Sequence, residues 1–161
     1  FFFAIEKFKN SGLGVVLLLG FTFFMGLMLS RMLGHVLGLS NGASLIATAF
    51  GGTALVFGGM ATLASTMKRD VSSLGKWLFV GLAVMIVAAV ANIWLQMPAL
   101  YLALSVMGVV IFSAFILYDL KRIIDGGETN YVTATLSVYL SVYNLFSSLL
   151  HLLTALGGGD D

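Results

Sequence analysis

Polar side chains recur along the last apolar segment of the chain at a spacing that places them on one side of an α-helix. They are Thr133, Ser137, Ser141, Asn144, Ser148 and His151. At 100° per residue they fall within an arc of roughly 80°. Such a stripe predicts either hydrogen bonds between membrane helices or the wall of a water-filled or ion-conducting path, because hydrocarbon makes an unpartnered polar group costly.

A carboxyl group is predicted close to this stripe. Asp119 follows the apolar run 106–118 and precedes Lys121 and Arg122, so we expect it at the inner edge of its helix. Partial removal from water makes it a candidate titratable switch. The alternative interpretation is a solvated carboxylate that pairs with a neighbouring cation at the membrane surface.

Two sets of candidate site residues follow. The candidate ion path or pH gate comprises Asp119, Ser141, Ser137 and Asn144. The candidate polar residues inside the helix bundle are Thr133, Ser148, His151 and Asn92. Asn92 and Gln96, four residues apart, are also a candidate hydrogen bond between helices. Close-packed helix surfaces are predicted at Gly34, Gly38, Gly51, Gly52, Gly58 and Gly59.

The segments that carry these residues are too apolar for a water-soluble fold. The stretch 77–118 contains no Lys, Arg, Asp or Glu. It is long enough for two spans of roughly 20 residues each across a hydrocarbon core about 30 Å thick. Charged residues make up 9% of the chain and hydrophobic residues 60%, against roughly 25% and 45–50% in soluble domains. The sequence therefore predicts a polytopic membrane protein.

The length of the apolar runs predicts helices rather than barrel strands, which need only about 9–11 residues and strict alternation. We expect a single all-α transmembrane domain over 1–161 with five spans, at 12–35, 43–66, 76–97, 98–123 and 131–156. The opening segment 1–5 resembles the tail of an earlier span, so one to two N-terminal spans are expected to be missing.

Orientation follows from the positions of the cations. If residues 6–11 face the cytoplasm, every Lys and Arg except Arg31 falls on the cytoplasmic side. This asymmetry agrees with the positive-inside rule. It predicts that the C-terminal tail lies on the periplasmic side of a bacterial inner membrane.

Composition also argues against several kinds of site. The chain has no Cys, which removes thiol catalysis and thiolate metal ligands. Its two His residues lie near the ends of different helices without an HExxH motif, so no metal and no cofactor are predicted. No basic patch with interleaved aromatic residues points to nucleic acid.

An enzyme is the competing class of protein. Tyr118-Asp119 and the tail Gly157-Gly158-Gly159-Asp160 superficially match motifs of intramembrane aspartyl proteases. Such enzymes need two facing carboxylates, whereas the predicted topology separates Asp119 from Asp160 by roughly 30 Å of bilayer. The sequence also lacks a GxSxG motif, and we predict no catalytic activity.

Three segments resemble a known family. Ile116-Leu117-Tyr118-Asp119, the GGETNY loop at 126–131 and the aromatic-rich helix at 137–146 are similar to the C-terminal signature of the Bax inhibitor-1 (TMBIM) family. The segment 91–100 is most similar to the proteobacterial YccA-type branch, the modulators of the FtsH protease. The resemblance covers the chain from Gly12 onward.

The resemblance implies a seven-helix bundle in which six helices surround a central seventh. Residues 131–156 would be that central helix, in agreement with the polar stripe. The proteobacterial branch implies a membrane protein that binds FtsH, or its HflK/HflC envelope, and inhibits degradation of membrane substrates. The lipid bilayer and FtsH are therefore the expected partners.

A calcium or proton leak is the alternative function that the resemblance implies. In ion-leaking members two aspartates of the last two helices share a proton and sense pH. Asp119 matches the first, but the position of the second is Ser141 here. A single carboxylate lacks the like-charge coupling that pushes two pKa values apart, which weakens a gate of this type. Asp119 with Ser141 would then line a closed or weakly conducting path.

Overall fold

The computed structural model is almost entirely α-helical, and it describes residues 2–39, 41–67, 72–126 and 130–157. The helices in these ranges are α1 (Phe2–Phe8), α2 (Gly12–Leu37), α3 (Gly42–Thr66), α4 (Ser72–Leu95), α5 (Pro98–Ile124) and α6 (Tyr131–Gly157). Lys68 and Arg69, residues 127–129 of the GGETNY loop and Asp160 lie outside the described residues. The all-α fold class predicted from the sequence is confirmed.

Five of these helices, α2 to α6, are long and apolar enough to cross a bilayer. The candidate spans contain 23 to 27 residues, more than the roughly 20 that the hydrocarbon core requires. α1 has only seven residues. By length and composition, the structure therefore has the five spans that the sequence predicts.

A side chain closes the turn between α4 and α5. α4 ends at Leu95, two residues before the predicted end, because Gln96 has a left-handed φ of 51°, which stops an α-helix. The amide oxygen of Asn92 accepts a hydrogen bond from the backbone N–H of Met97 at 2.9 Å, and Pro98 then begins α5. Asn92 thus satisfies backbone at a helix end, which corrects its predicted place in a hydrogen bond between helices.

α6 begins at a side-chain cap that also joins it to the turn between α1 and α2. The amide oxygen of Asn130 accepts a hydrogen bond from the backbone N–H of Thr133 at 3.0 Å, as an N-cap residue does. Its amide nitrogen donates to the Lys9 carbonyl oxygen at 3.1 Å and to the Asn10 side-chain oxygen at 2.7 Å. One residue therefore fixes the start of α6 against a distant part of the chain.

A buried lysine joins the end of α3 to α5. Lys121 is only 6% exposed. Its ammonium group donates to the Met67 carbonyl oxygen at 2.6 Å and lies 3.2 Å from the Asp125 carboxylate. Met67 is the C-cap residue that follows α3, and carbonyl groups at a helix C-terminus lack helical partners and carry partial negative charge. Lys121 therefore caps α3 from a neighbouring helix.

α6 contributes to each hydrophobic cluster found among the described residues. Val132 and Leu136 pack with residues of α1 and α2, Leu150 packs with residues of α2 and α3, and Leu145 packs with residues of α5. α6 accordingly contacts α2, α3 and α5, whereas α4 packs mainly against α5. The described helices are thus organised around α6.

Most of the glycines predicted at close-packed surfaces have no close neighbour on another helix among the described residues. A Cβ at Gly52 would lie 3.5 Å from Leu149, but a Cβ would meet nothing within 4 Å at Gly34, Gly51, Gly58 or Gly59. A close approach occurs instead at Gly75, where a Cβ would lie 2.5 Å from the Tyr118 ring. Spacing alone did not distinguish glycines that face another helix from those that face outward.

We expect Asn130→Ala to lower the free energy of unfolding by about 1 kcal/mol, the usual effect of losing an N-cap. The measurement is the midpoint of thermal unfolding in detergent micelles. Asn130→Asp is the matched control, since it keeps the oxygen that caps α6 and removes the donors to Lys9 and Asn10. It should lose less stability, and equal losses in the two variants would contradict the capping role.

Candidate functional site

The buried polar pair between α5 and α6 consists of Asp119 and Ser141. The Ser141 hydroxyl donates a hydrogen bond to Asp119 Oδ2 at 2.8 Å. The two residues are 8% and 6% exposed, respectively. Asp119 is therefore a buried carboxyl group with a hydroxyl partner on the neighbouring helix, and not the solvated surface carboxylate of the alternative interpretation.

Several other hydroxyl groups in the spans bond within their own helix. The buried residues Thr53, Ser105 and Ser113 each donate to the carbonyl oxygen four residues earlier. Bonding of this kind satisfies the hydroxyl group without joining two helices. Within the described ranges, Ser141 is the only serine or threonine whose hydroxyl group donates to another helix.

Three further members of the predicted stripe form no hydrogen bond between helices through their side chains. The Asn144 amide nitrogen donates to the Leu140 carbonyl oxygen of its own helix at 2.8 Å. Thr133 contributes its backbone N–H to the cap of α6. The half-buried Ser137 hydroxyl group has no hydrogen-bond partner among the described residues. Of the predicted path residues, the structure brings only Ser141 to Asp119.

The other end of the α5–α6 pair also carries polar side chains. The Ser148 hydroxyl group packs so closely against Gly108 that a Cβ at that position would collide with it. The His151 ring lies 5.8 Å from the Tyr101 ring, at an interplanar angle of 56°. Ser148 and His151 therefore face α5, one through close packing and the other through a ring contact.

An apolar layer separates these two polar ends. It consists of Phe112 and Ile116 of α5 and Leu145 of α6, which are all buried and pack together. The Phe115 ring stacks on Phe112 with ring centroids 6.1 Å apart. An ion that crossed this layer would lose its water without gaining a polar partner. The α5–α6 interface is thus closed between Asp119 and His151.

The surface of α5 that faces α6 was not predicted from the sequence. Its buried residues Ser105, Gly108, Phe112, Ile116 and Asp119 recur every three or four positions, which is the period of one helix face. The signal was weak because the other sides of α5 are also apolar. Only the contacts with α6 identify this face.

No group of three or more His, Cys, Asp or Glu side chains that could hold a metal ion occurs among the described residues. The protease interpretation needs Asp160 as the second carboxylate. That residue lies outside the described ranges.

Comparison with known proteins identifies the family. Residues 1–158 match the family model described as inhibitor of apoptosis-promoting Bax1. The chain belongs to the Bax inhibitor-1 family. The assignment made from the Asp119 segment, the GGETNY loop and the aromatic-rich helix is thereby confirmed.

The chain is also similar to several bacterial proteins. A protein of Escherichia coli K12 named modulator of FtsH protease YccA is 44% identical over 151 residues, which cover 94% of this chain and 68% of the relative. An uncharacterised protein of Pseudomonas aeruginosa is 43% identical over 99% of this chain and 72% of its own length. An uncharacterised membrane protein of Vibrio cholerae is 42% identical over 99% and 71%.

The names of two relatives and the apolar helices of this Bax inhibitor-1 family member both indicate a membrane location. The Vibrio cholerae relative is called a membrane protein, and a second Escherichia coli relative, 44% identical, is called an inner membrane protein. Five apolar helices of sufficient length fit that description. The protein is therefore a multi-pass membrane protein.

We expect Ser141→Ala to lower the free energy of unfolding by about 1–3 kcal/mol, because it leaves the buried Asp119 carboxyl group without its hydroxyl partner. Ser137→Ala is the matched control one turn earlier on α6, and we expect a change within about 0.5 kcal/mol. Thermal unfolding in detergent micelles measures both. Equal changes in the two variants would contradict a special role for the Asp119–Ser141 hydrogen bond.

Proposed function

We propose that this protein is an inner-membrane regulator that binds the FtsH protease and inhibits its degradation of membrane substrates. The observation that carries the proposal is the 44% identity, over 94% of this chain, to the Escherichia coli protein named modulator of FtsH protease YccA. The match extends over nearly the whole chain rather than over one motif. The proposed partners are FtsH and its HflK/HflC envelope.

The exposed surface of α4 supports contact with another membrane protein. α4 packs mainly on α5, and large apolar side chains project from its other sides. They include Trp77, Phe79, Val87, Ile93 and Trp94. In a bilayer this surface meets lipid or the helices of a partner. α4 is the least buried of the five candidate spans, and we propose that it contacts the FtsH complex.

The proposed arrangement in the membrane is a seven-helix bundle with α6 at its centre. Its support is the presence of α6 in all three hydrophobic clusters. Lys121 contacts Met67 and Asn130 contacts Lys9, so three connections that carry cations meet at one end of the helices. In the proposed orientation that end is cytoplasmic, as the positive-inside rule favours, and the C-terminus is periplasmic.

The test reconstitutes full-length protein with FtsH and a membrane-protein substrate in proteoliposomes and follows substrate loss after ATP is added. We expect the substrate half-life to lengthen several-fold as the ratio of regulator to FtsH rises, and the two proteins to co-purify. The Asp119→Asn variant should inhibit as well as wild type, because the Asp119–Ser141 pair is buried between α5 and α6 and is not exposed to a partner. A multi-pass protein of another family at equal density is the control. An unchanged half-life would contradict the proposal.

A second candidate function is a calcium or proton leak along the α5–α6 interface. The observation that favours it is the buried Asp119 with its Ser141 partner, because an ionisable group inside a membrane protein is costly to keep without a function. The apolar layer of Phe112, Ile116 and Leu145 makes the path closed in this conformation. The two functions are compatible in one protein.

We expect wild-type protein in liposomes to conduct calcium and protons weakly, and Leu145→Ser to raise the flux because a hydroxyl group then interrupts the apolar layer. The measurement uses calcium- and pH-sensitive dyes inside the vesicles. Leu153→Ser is the control, since Leu153 packs in the cluster between α2, α3 and α6. Adding Asp119→Asn to Leu145→Ser should reduce the flux and its dependence on pH. Flux no greater than that of empty liposomes in every variant would contradict the leak.

A further inference from the structure

Tyr118, the neighbour of Asp119 on α5, packs directly against α4. Its ring lies so close to Gly75 that a Cβ at that position would be 2.5 Å from the ring and from its hydroxyl oxygen. A glycine permits this close approach because it has no side chain. α4 and α5 are thus in direct contact one residue before the buried carboxyl group.

The same ring lies beneath the guanidinium group of Arg122. The centre of that group is 5.5 Å from the Tyr118 ring centroid, within the roughly 6 Å over which an aromatic face attracts a cation. Arg122 is half-buried, and a planar guanidinium group stacks well on an aromatic ring. The ring therefore restricts a long side chain that would otherwise have many rotamers.

Arg122 is also a neighbour of Asp119. The two residues are three positions apart on α5, a spacing that brings side chains together on the surface of a helix. The positive charge of Arg122 stabilises the Asp119 carboxylate, and Ser141 donates a hydrogen bond to it from α6. Asp119 therefore has a hydroxyl donor on α6 and a cation on its own helix.

The other described charges near this end of α5 do not replace Arg122. The Lys121 ammonium group bonds the end of α3 and an acidic side chain of α5. α3 contains no ionisable side chain, and α6 contains no Asp, Glu, Lys or Arg. Lys76 of α4 is exposed. Among the described cations, Arg122 is thus the one that acts on Asp119.

We propose that α4 holds Arg122 beside Asp119 through the Tyr118 ring, and that the charge of Arg122 keeps other cations away from the buried carboxyl group. Gly75 makes room for the ring, and the ring orients the guanidinium group. A movement of α4 that displaces the ring then frees Arg122 and leaves Asp119 open to a cation. The consequence for ion passage rests on the leak proposed above, whereas the contacts do not.

Two glycines of α4 provide a matched pair of variants. A Cβ at Gly75 would collide with the Tyr118 ring, whereas a Cβ at Gly81 would lie 3.4 Å from the flexible end of Ile111. Gly75→Ala should therefore displace the ring, and Gly81→Ala should leave the contact between α4 and α5 nearly unchanged. The atoms that would collide are at the far end of a side chain, so the ring can move without the helices.

The measurement is the rate at which a water-soluble carbodiimide and glycine ethyl ester modify Asp119 in the full-length protein, read by peptide mass spectrometry. A carbodiimide activates a protonated carboxyl group, so a neighbouring cation slows the reaction. We expect Arg122→Gln to react about tenfold faster than wild type, since an opposite charge within about 6 Å strongly favours the carboxylate. Gly75→Ala should also react faster. Gly81→Ala, and Tyr118→Phe, which keeps the ring, should match wild type.

Equal rates in Arg122→Gln and wild type would overturn the proposal, as would equal rates in Gly75→Ala and Gly81→Ala. Tyr118→Leu removes the ring without changing α4 and should react as fast as Gly75→Ala, so a wild-type rate there would overturn the role of the ring. If Asp119 reacts in no variant, a double-mutant cycle decides. Arg122→Gln should lower the midpoint of thermal unfolding more in wild type than in Asp119→Asn, and equal changes would overturn the proposal.

Calcium flux separates this proposal from the proposed leak. Arg122→Gln added to Leu145→Ser, the variant expected to conduct, should raise calcium flux several-fold. Unchanged flux in a conducting Leu145→Ser background would overturn the effect of Arg122 on cations. Flux no greater than that of empty liposomes in both variants would contradict the leak, and the carbodiimide rates would still decide whether α4 holds Arg122 beside Asp119.

Discussion

The cost of leaving a polar group without a partner in hydrocarbon governs this structure. Backbone groups satisfy that requirement inside each helix, and Thr53, Ser105 and Ser113 satisfy it by bonding the carbonyl oxygens of their own helices. Asp119 has no such local solution, because a carboxylate accepts hydrogen bonds and the carbonyl oxygens of its helix donate none. Its partner must come from a neighbouring helix, and Ser141 supplies the donor. This hydrogen bond therefore joins α5 to α6 at one point of their interface.

The same requirement explains the side chains at the helix ends, where backbone groups lack helical partners. Asn92 accepts from the backbone after α4, Asn130 accepts from the first turn of α6, and Lys121 donates to the carbonyl oxygen at the end of α3. Asn130 and Lys121 also connect elements that are distant in sequence. These two contacts involve the loops at the end where Asp119 lies, so a displacement of α6 at that end disturbs the α1–α2 turn as well. Hydrogen bonds from these three side chains therefore stabilise one end each of α3, α4 and α6.

The interior of the α5–α6 interface combines polar ends with an apolar middle. Phe112, Ile116 and Leu145 supply buried area for stability, and the same burial keeps water away from the centre of the polar stripe. A continuous polar path would gain hydration and lose this packing. The proposed regulator and the proposed leak therefore make different demands on one interface, since the first needs a stable scaffold and the second needs an apolar layer that opens.

Composition and periodicity predicted the five membrane helices, because hydrocarbon imposes a minimum length and excludes charge from every span. They also predicted the polar face of α6, since hydrogen bonding and burial depend on a helical period that can be counted from residue numbers. The family followed from the Asp119 segment, the GGETNY loop and the aromatic-rich helix. The positions of Asn92, Lys121 and the close-packed glycines were not predictable in this way, because a capping contact depends on which helix end lies nearby.

The sequence also left open which hydrogen-bond partner each hydroxyl group has. A serine in a membrane helix can bond its own backbone or a neighbour, and the choice depends on which side chain faces it. Sequence determined that α6 carries a stripe of such groups and that Asp119 lies close to a span end. Only the packing of α5 on α6 selected Ser141 as the partner and placed Phe112, Ile116 and Leu145 across the stripe, because helix spacing and register arise from contacts between residues far apart in the chain.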